Sequence, residues 1–561
     1  MNKIYRIFAI LVLLITSVGS FAQTVPVGVI GNVEDVLRRQ QLLGNDTSGS
    51  SFMIRPLNMS MFQDLVLDEA LQFTGGQLRK QLYTSANGKA SFFALPVTLN
   101  QQYNTHNPYG LNDGSMIPAR GYQTQFTAGI FGKVGPLSIQ LMPDFVYAQN
   151  KGFRQLHETG DLNGKPFIDS YISFYSNRID APERFGTKAY SRAGWGQSSI
   201  RLTFDPVSFG LSNENLWWGP GVKNSLLMSN NAGGFKHLTL NTTKPIRTYI
   251  GKFESQIIAG RLEPSNIDVE NPAFQAKPDD WRYISGIIIT YQPKWIPGLY
   301  LGLDRTYVTN HEDLGNGFYD YFPIFSALEK RAYATEITTG PDAEDKKRRD
   351  QYASIFARWL LPASHSEVYL QYGRNDHAYD TRDLTIQPEH GRAYVAGFRT
   401  LVPFKGDDEF IQVGIELTQM ENTRTSNLRA APVWYVHPQV TAGYTSEGQV
   451  IGAGVGPGSN LQSINVDWVK GIKRIGIQVE RLTHNNDLFY KSVKGIRQNW
   501  VDVSAAAKFD WTFNHFLLNS QLTYIRSLNY QYTLIEGADF WHWNKQDVNN
   551  IQMKIGLAYL F

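Results

Sequence analysis

Two adjacent tryptophans, one glutamate and three of five asparagines stand out within residues 213–232, around a Gly-Pro-Gly turn at 219–221. They are Glu214, Asn215, Trp217, Trp218, Asn230 and Asn231. Indole rings stack on the apolar faces of sugar rings, while carboxylates and amides exchange hydrogen bonds with hydroxyl groups. The set therefore predicts a carbohydrate-binding site. The sequence leaves one alternative open, in which the tryptophans pack inside the protein and the glycines and proline only shape a loop.

Other groupings that could carry out chemistry are weak. No HExxH, GxSxG or P-loop pattern occurs, and the cluster Asp376, His377 and Asp380 is explained more simply as a polar loop. Without any cysteine, the chain has no disulfide framework and no thiolate metal site. The net charge of +3, with both signs interspersed, gives no basic patch that would bind nucleic acid. We therefore expect no enzyme activity, no catalytic residues, no metal, no cofactor and no nucleic-acid partner.

The first residues have the pattern of a secretory signal peptide. Lys3 and Arg6 form a basic start, residues 7–18 are apolar, and residues 20–22 form a small-x-small cleavage site before Gln23. After this segment, no apolar run approaches the roughly 18 residues that a transmembrane helix needs. We expect export from the cytoplasm without helical membrane spans.

The last residues alternate strictly. Every second position from Ile551 to Phe561 is apolar or aromatic, and the residues between, from 552 to 558, are polar or small; residues 137–147 and 411–417 repeat the pattern. Such two-faced strands are typical of a transmembrane antiparallel β-barrel, in which one face meets lipid and the other the lumen. The terminal Phe561 also resembles the signal by which bacterial outer-membrane barrels are recognised for insertion. The sequence thus predicts an all-β outer-membrane barrel.

Further runs bring the predicted number of strands to about eighteen. They lie near 95–103, 122–132, 198–204, 207–213, 234–241, 249–261, 283–291, 299–307, 352–360, 367–374, 393–401, 463–470, 475–482, 500–509 and 516–526. Short turns alternate with long connections, which we expect to be loops at the cell surface. The long connections are 104–121, 149–197, 213–233, 262–282, 308–351, 375–392, 421–462, 483–499 and 527–550.

Residues 24 to about 90 lack this alternation. Asn32 is a candidate N-cap with Asp35 three residues later, so residues 33–43 are predicted to form a helix; residues 58–73 are predicted to form a second helix and 77–83 to begin a third. This small helical segment should lie in the periplasm, below the barrel or plugging it. The predicted units are a signal peptide (1–22), a periplasmic helical segment (23–90) and the barrel (91–561).

Several acidic and amide side chains on the strands have the parity of lumen-facing residues. They are Glu214, Glu254, Glu416, Glu480, Gln412 and Gln478. Such groups suit sugar hydroxyls, but any water-filled or plugged lumen also needs a polar lining.

Residues 213–232 resemble the signature of the Wzi family of capsule assembly proteins, in which a tryptophan pair and Gly-Pro lead through Ser-Leu into Ser-Asn-Asn-Ala. Membership implies a lectin-like outer-membrane protein that binds and organises capsular or exopolysaccharide. The expected partners are that polymer, outer-membrane lipid, lipopolysaccharide and the barrel assembly machinery. Lipopolysaccharide phosphates would suit the charge run at residues 344–349. The alternative function, which the same strand count allows, is a diffusion pore or transporter.

Overall fold

In the computed structural model, one antiparallel sheet closes on itself as a barrel of eighteen strands. The structure describes all residues except 1–22, 31, 47, 63, 69–72, 157–170, 173–174, 268–273, 327–346, 377, 407, 494–495 and 534–545, so the predicted signal peptide lies outside the described residues. The first and last strands pair, with Leu557 opposite Leu99 and Tyr559 opposite Val97. Pairing of the terminal strand with the first one confirms the predicted closure.

The strands follow the chain order, each paired with its predecessor. They are β1 (Ala90–Asn104), β2 (Gly121–Val134), β3 (Leu137–Leu141 with Asp144–Ala148), β4 (Tyr190–Gly194 with Ser199–Phe204), β5 (Val207–Ser212), β6 (His237–Thr242), β7 (Gly251–Leu262), β8 (Arg282–Pro293), β9 (Leu299–Asn310), β10 (Arg349–Leu361), β11 (Ser366–Asn375), β12 (Arg392–Pro403), β13 (Glu409–Gln419), β14 (Asn460–Lys470), β15 (Lys473–Thr483), β16 (Val501–Phe513), β17 (Phe516–Leu528) and β18 (Val548–Tyr559). All eighteen predicted runs fall on these strands. Two short segments, Lys80–Thr84 and Ile246–Arg247, extend the sheet beside β1 and β7.

The predicted two-faced pattern is also observed. Along β3, Leu137, Ile139 and Phe145 are exposed on the outer surface, while Gln140 and Asp144 are buried inside the barrel. This arrangement puts apolar side chains where lipid would lie and polar ones in the lumen. Among the described residues, no helix is long and apolar enough to cross a bilayer.

The segment before the barrel fills the lower part of the lumen. Its helix α1 (Val33–Leu42) confirms the first predicted helix. Asn32 precedes it, but its side chain donates to the Ile472 carbonyl of the barrel wall at 2.5 Å instead of capping the helix. We call residues 23–62, which pack inside the barrel, the plug.

The second and third predicted helices are wrong. The chain forms the strand Leu57–Asn58 against Thr24–Val25, a 3-10 turn at Met59–Met61, and short strands at Val66–Asp68 and Phe73–Thr74. Lys80–Thr84 is a strand added to β1. The helical prediction rested on the missing strand alternation and on Gly75-Gly76 as a stop, whereas Leu57, Phe62 and Leu67 pack in a buried apolar cluster with Phe93 and Phe131 of the barrel wall.

Two connections that were predicted to be surface loops also enter the barrel. The inner loop (residues 213–236) places Trp218, Leu226 and Met228 in the main buried cluster, and the cap loop (residues 434–452) adds Trp434 and Tyr435. Sequence length alone could not distinguish a loop that rises above the membrane from one that folds inward.

Candidate functional site

The six predicted sugar-binding residues lie together, but inside the barrel. Trp217 and Trp218 form a short strand against Ile54–Arg55 of the plug. Trp218 is fully buried and its indole N–H donates to Gln256 Oε1 at 2.9 Å, while the Arg55 guanidinium lies 4.4 Å from the Trp217 ring. The pair therefore joins the inner loop to the plug, which is the packing role that the sequence left open.

The polar members of the set also bond to the protein itself. Glu214 is fully buried and accepts hydrogen bonds from Arg201 Nη2 at 2.6 Å and from the Thr24 hydroxyl. Asn215 donates to Asn230, and Asn231 donates to the Val450 carbonyl at 2.9 Å. Binding of sugar by these residues stays a prediction, and in this conformation their polar atoms serve internal contacts.

The other predicted lumen-facing carboxylates and amides are all buried, and the carboxylates hold the contents of the barrel. Glu416 accepts from the backbone N–H groups of Val222, Lys223 and Asn224, and Glu254 accepts from the Ser51 N–H at 2.8 Å. Glu480 pairs with Lys223 Nζ at 3.0 Å. A polar lining is present, as predicted, and here it is occupied by the inner loop and the plug. The remaining two, Gln412 and Gln478, are buried in the same wall.

A buried charge cluster fixes α1 to the wall. Glu367 on β11 accepts from Arg38 Nε of the plug at 2.8 Å and from Arg358 Nε at 2.7 Å, with Arg399 Nε at 3.9 Å. Asp35 of α1 pairs with Arg399 Nη1 at 2.6 Å. Burial alone would raise the pKa of Asp35, but Arg399 and the other cations around it hold that pKa well below its usual range.

Direct hydrogen bonds link the plug, the inner loop and the cap loop along the barrel axis. The Gly219 N–H donates to the Met53 carbonyl at 2.8 Å, and the Ser229 N–H donates to the Ile451 carbonyl at 2.9 Å. Tyr435 donates its hydroxyl to the Leu226 carbonyl at 2.6 Å. Packed protein therefore runs through the lumen from its lower end to the cap loop, beside a pocket of about 180 Å³ that Asn100, Gln125 and Lys508 of the wall help to line.

The other polar motif, Asp376 to Asp380, is explained by local structure. Asp376 accepts from Gln351 Nε2 at 2.7 Å, and Asp380 caps a short helix, Thr381–Ile386, through the Asp383 N–H. His377 lies outside the described residues.

A pocket of about 520 Å³ opens at the outer rim of the barrel, where β5 and β6 are short and the wall between β4 and β7 is notched. We call it the rim pocket. Its lining includes Phe185, Tyr190, Arg192, Lys236, Arg261, Glu263, Asp279, Asp280, Trp281 and Glu447. Unlike the residues of the tryptophan pair, many of these side chains remain accessible.

Aromatic rings form part of the rim pocket. Trp281 stacks on His311 with ring centroids 4.4 Å apart, and the Arg261 guanidinium lies 5.1 Å from the Trp281 ring. Tyr190 meets Phe185 edge to face at 5.8 Å. These contacts hold flat apolar surfaces at the edge of an open, polar cleft.

Charged groups of both signs complete the rim pocket. Glu263 accepts from Arg261 Nε at 2.7 Å, Arg192 Nη2 lies 2.8 Å from Glu447, and Asp280 lies 3.2 Å from His311 Nδ1. Sugar hydroxyls both donate and accept, so a cleft that offers carboxylates, guanidiniums and rings can bind them.

Sequence reasoning missed the rim pocket because its residues come from six separate parts of the chain. The one local signal was Asp279-Asp280-Trp281, an acidic pair and an aromatic residue at the start of a strand.

The model of the family described as Capsule assembly protein Wzi matches residues 101–533. Among solved structures, Wzi of Escherichia coli, described as an outer membrane protein involved in group 1 capsule assembly and a carbohydrate binding beta-barrel, is 13% identical, with a TM-score of 0.58 over 96% of this chain and 100% of that one. OccAB2 of Acinetobacter baumannii is 10% identical, with a TM-score of 0.39 over 83% of this chain and 97% of that one. No curated protein matches the sequence.

Proposed function

The chain belongs to the Wzi family of capsule assembly proteins, and from this premise we propose that it is an outer-membrane, lectin-like protein that binds and organises capsular or exopolysaccharide at the cell surface. The observation that carries the proposal is the rim pocket, an accessible cleft of rings and paired charges at the outer end of a barrel with a lipid-compatible wall. A long polymer would gain affinity from repeated weak contacts, so one such cleft per molecule is sufficient at a surface that carries many copies.

The packed segments inside the lumen argue against the alternative of a diffusion pore. Hydrogen bonds join the plug to the inner loop and the inner loop to the cap loop, so solute passage would require these packed segments to leave. Reconstituted in planar bilayers, the protein should show no steady open current. A stable conductance of the unmodified protein would favour the pore.

Binding without turnover is part of the proposal. Incubation with the polymer should leave the length of the polymer unchanged in size-exclusion chromatography, and shortening of the polymer would contradict this part.

The proposed location includes contacts with outer-membrane lipid and lipopolysaccharide, insertion by the barrel assembly machinery, long loops at the cell surface and the N-terminal segment at the periplasmic end. The outward apolar residues of the strands and the alternating C-terminal strand support it.

The decisive experiment measures binding of the native capsular or exopolysaccharide to purified protein. The variant Trp281→Ala with Arg261→Ala should lower binding at least several-fold, because it removes a ring and a cation from the rim pocket. Trp295→Ala is the matched control, since Trp295 is an exposed tryptophan in the β8–β9 turn at the opposite end of the barrel. Equal binding by the double variant and the control would reject the rim pocket.

In cells, loss of the gene should release polymer into the medium without stopping its synthesis. Unchanged retention of polymer at the surface would contradict the proposed function.

A further inference from the structure

The outer wall of the barrel has a polar patch at a height where a lipid-facing surface should be apolar. On β9, Arg305 and Thr309 have the same parity as Leu301 and Leu303, which are exposed on the lipid side. Ser285 on β8 lies on the same face, opposite Tyr307 in the register. All three polar residues are nevertheless buried.

The segment that buries this patch is the start of the β9–β10 connection, which we call the flap (residues 311–326). Arg305 Nη1 donates to the carbonyls of Ile324 at 3.1 Å and Ser326 at 2.8 Å. The Tyr283 hydroxyl donates to the Tyr321 carbonyl at 2.7 Å, and Ile324 packs on Ile287 and Tyr307. The flap therefore lies on the outside of the wall.

The opposite face of the flap is aromatic and exposed in the part of the chain that the structure describes. Phe318, Tyr319 and Phe325 are 61%, 57% and 49% exposed, and Phe318 stacks on Phe325 with centroids 6.2 Å apart. A cluster of large rings open to water is unfavourable, whereas such rings are stable at the boundary between lipid tails and headgroups.

The height of the flap agrees with that boundary. A strand rises about 3.3 Å per residue and is tilted by about 40°, so Arg305 lies roughly 15 Å above Leu299, in a band of about 25 Å. The end of the flap, at Ile324 and Ser326 beside Arg305, thus lies in the upper half of the lipid-facing belt, and the rest of the flap lies above it. Lys347 and Arg348 pair with Asp320 and Asp313 of the flap, which adds cations beside the rings.

We infer that the flap is a membrane-embedded element that shields the polar patch and inserts Phe318, Tyr319 and Phe325 into the outer leaflet, with the tail–headgroup boundary of that leaflet as its partner. The inference depends on the barrel lying in a membrane and is independent of sugar binding.

The test uses the absence of cysteine from the natural sequence, which allows single-cysteine probes. Tyr319→Cys and Phe325→Cys are labelled with an environment-sensitive fluorophore and reconstituted in phosphatidylcholine vesicles with or without brominated acyl chains. Leu303→Cys, on the lipid-facing wall, is the positive control, and Leu428→Cys, 94% exposed on an outer loop, is the negative control.

Quenching of both flap probes by brominated lipid should approach that of the Leu303 probe and exceed that of the Leu428 probe several-fold. Quenching at the level of Leu428, or protection of the probes only by added polysaccharide or by dimer formation, would overturn the inference. If a variant fails to fold, photoreactive lipid applied to the unmodified protein provides the same test. The lipid label should then appear on peptides from 311–326. Label on β9 without label on these peptides would also overturn the inference.

Discussion

Replacing Glu367 with alanine should release the plug from the barrel. Glu367 is the carboxylate on which Arg38 of the plug and Arg358 of the wall converge, with Arg399 3.9 Å away, and all four side chains are almost completely buried. Removing one partner of a buried ion pair costs about 3–5 kcal/mol, because the remaining charges stay desolvated. Here Arg38 and Arg358 lose their carboxylate partner while Arg399 keeps Asp35, so the lower part of that range, about 3–4 kcal/mol, applies.

This free energy converts into a population of undocked plug. Since each 1.4 kcal/mol is a factor of ten, the undocked fraction should rise by about 10²- to 10³-fold. The assay is planar-bilayer recording, in which Glu367→Ala should show intermittent openings that the unmodified protein lacks. In parallel, protease added at the lower end of the barrel should cleave residues 23–62 faster in Glu367→Ala than in the unmodified protein.

The matched control is Asp547→Ala, which breaks the exposed pair between Asp547 and Arg526 at 3.0 Å. Such a surface pair contributes about 0–1 kcal/mol, so neither conductance nor cleavage should change. The argument is refuted if Glu367→Ala is as silent and as protected as Asp547→Ala.

Three further predictions concern packing and pH. Trp218→Ala should lower the free energy of unfolding by about 3–5 kcal/mol in denaturant titrations, because a fully buried indole and its hydrogen bond to Gln256 are lost; a change no larger than that of Trp295→Ala would contradict this. Gly286→Val should displace the Trp218 ring, since a Cβ at Gly286 would lie 2.7 Å from it, and tryptophan fluorescence should report the shift; an unchanged spectrum would count against the packing described. Burial, and then the charge of Glu421, raises the pKa of Asp487 to about 7 in the outer connection after β15, so its ionisation destabilises the fold increasingly as pH rises from the ordinary value of 3.8 to about 7. The melting temperature of Asp487→Asn should therefore match that of the natural protein near pH 4 and exceed it near pH 8, and a difference independent of pH would exclude this origin.

The barrel was predictable because lipid imposes a simple pattern on each strand. Every second side chain must suit hydrocarbon, and a shift by one residue would turn the whole apolar set inward. The runs at 137–147 and at 551–561 are examples in which side-chain alternation alone determined which face is outside. Closure followed from the same condition, because an unpaired strand edge is unfavourable in lipid.

The interior was less predictable for a physical reason. Inside the barrel, polar wall residues such as Glu416 and Glu254 are satisfied by backbone N–H groups of the inner loop and the plug, so apolar periodicity no longer marks the buried face. Residues 58–73, which lack strand alternation, were predicted to form a helix, and the described residues of this range form short strands and turns instead.

The candidate site illustrates a second limit. Trp217 and Trp218 are of the residue type that stacks on sugar rings, and the same residue type forms a buried packing contact equally well. The rim pocket depends on a notch between β4 and β7 that brings distant segments together, and no local pattern reports such a notch.

The short strand contact between Trp217-Trp218 and Ile54-Arg55 has an implication for how this architecture can diversify. This contact lies inside the barrel and holds the inner loop to the plug, so the stretch that resembles the family signature and the rim pocket, where we propose that polymer binds, can change independently. On the proposed function, exchanges at Trp281, Arg261 or Glu447 would change ligand preference and leave the contact between the tryptophan pair and the plug intact. Substitutions at the rim of such a protein would then allow it to bind a different saccharide while the packing inside the barrel stays the same.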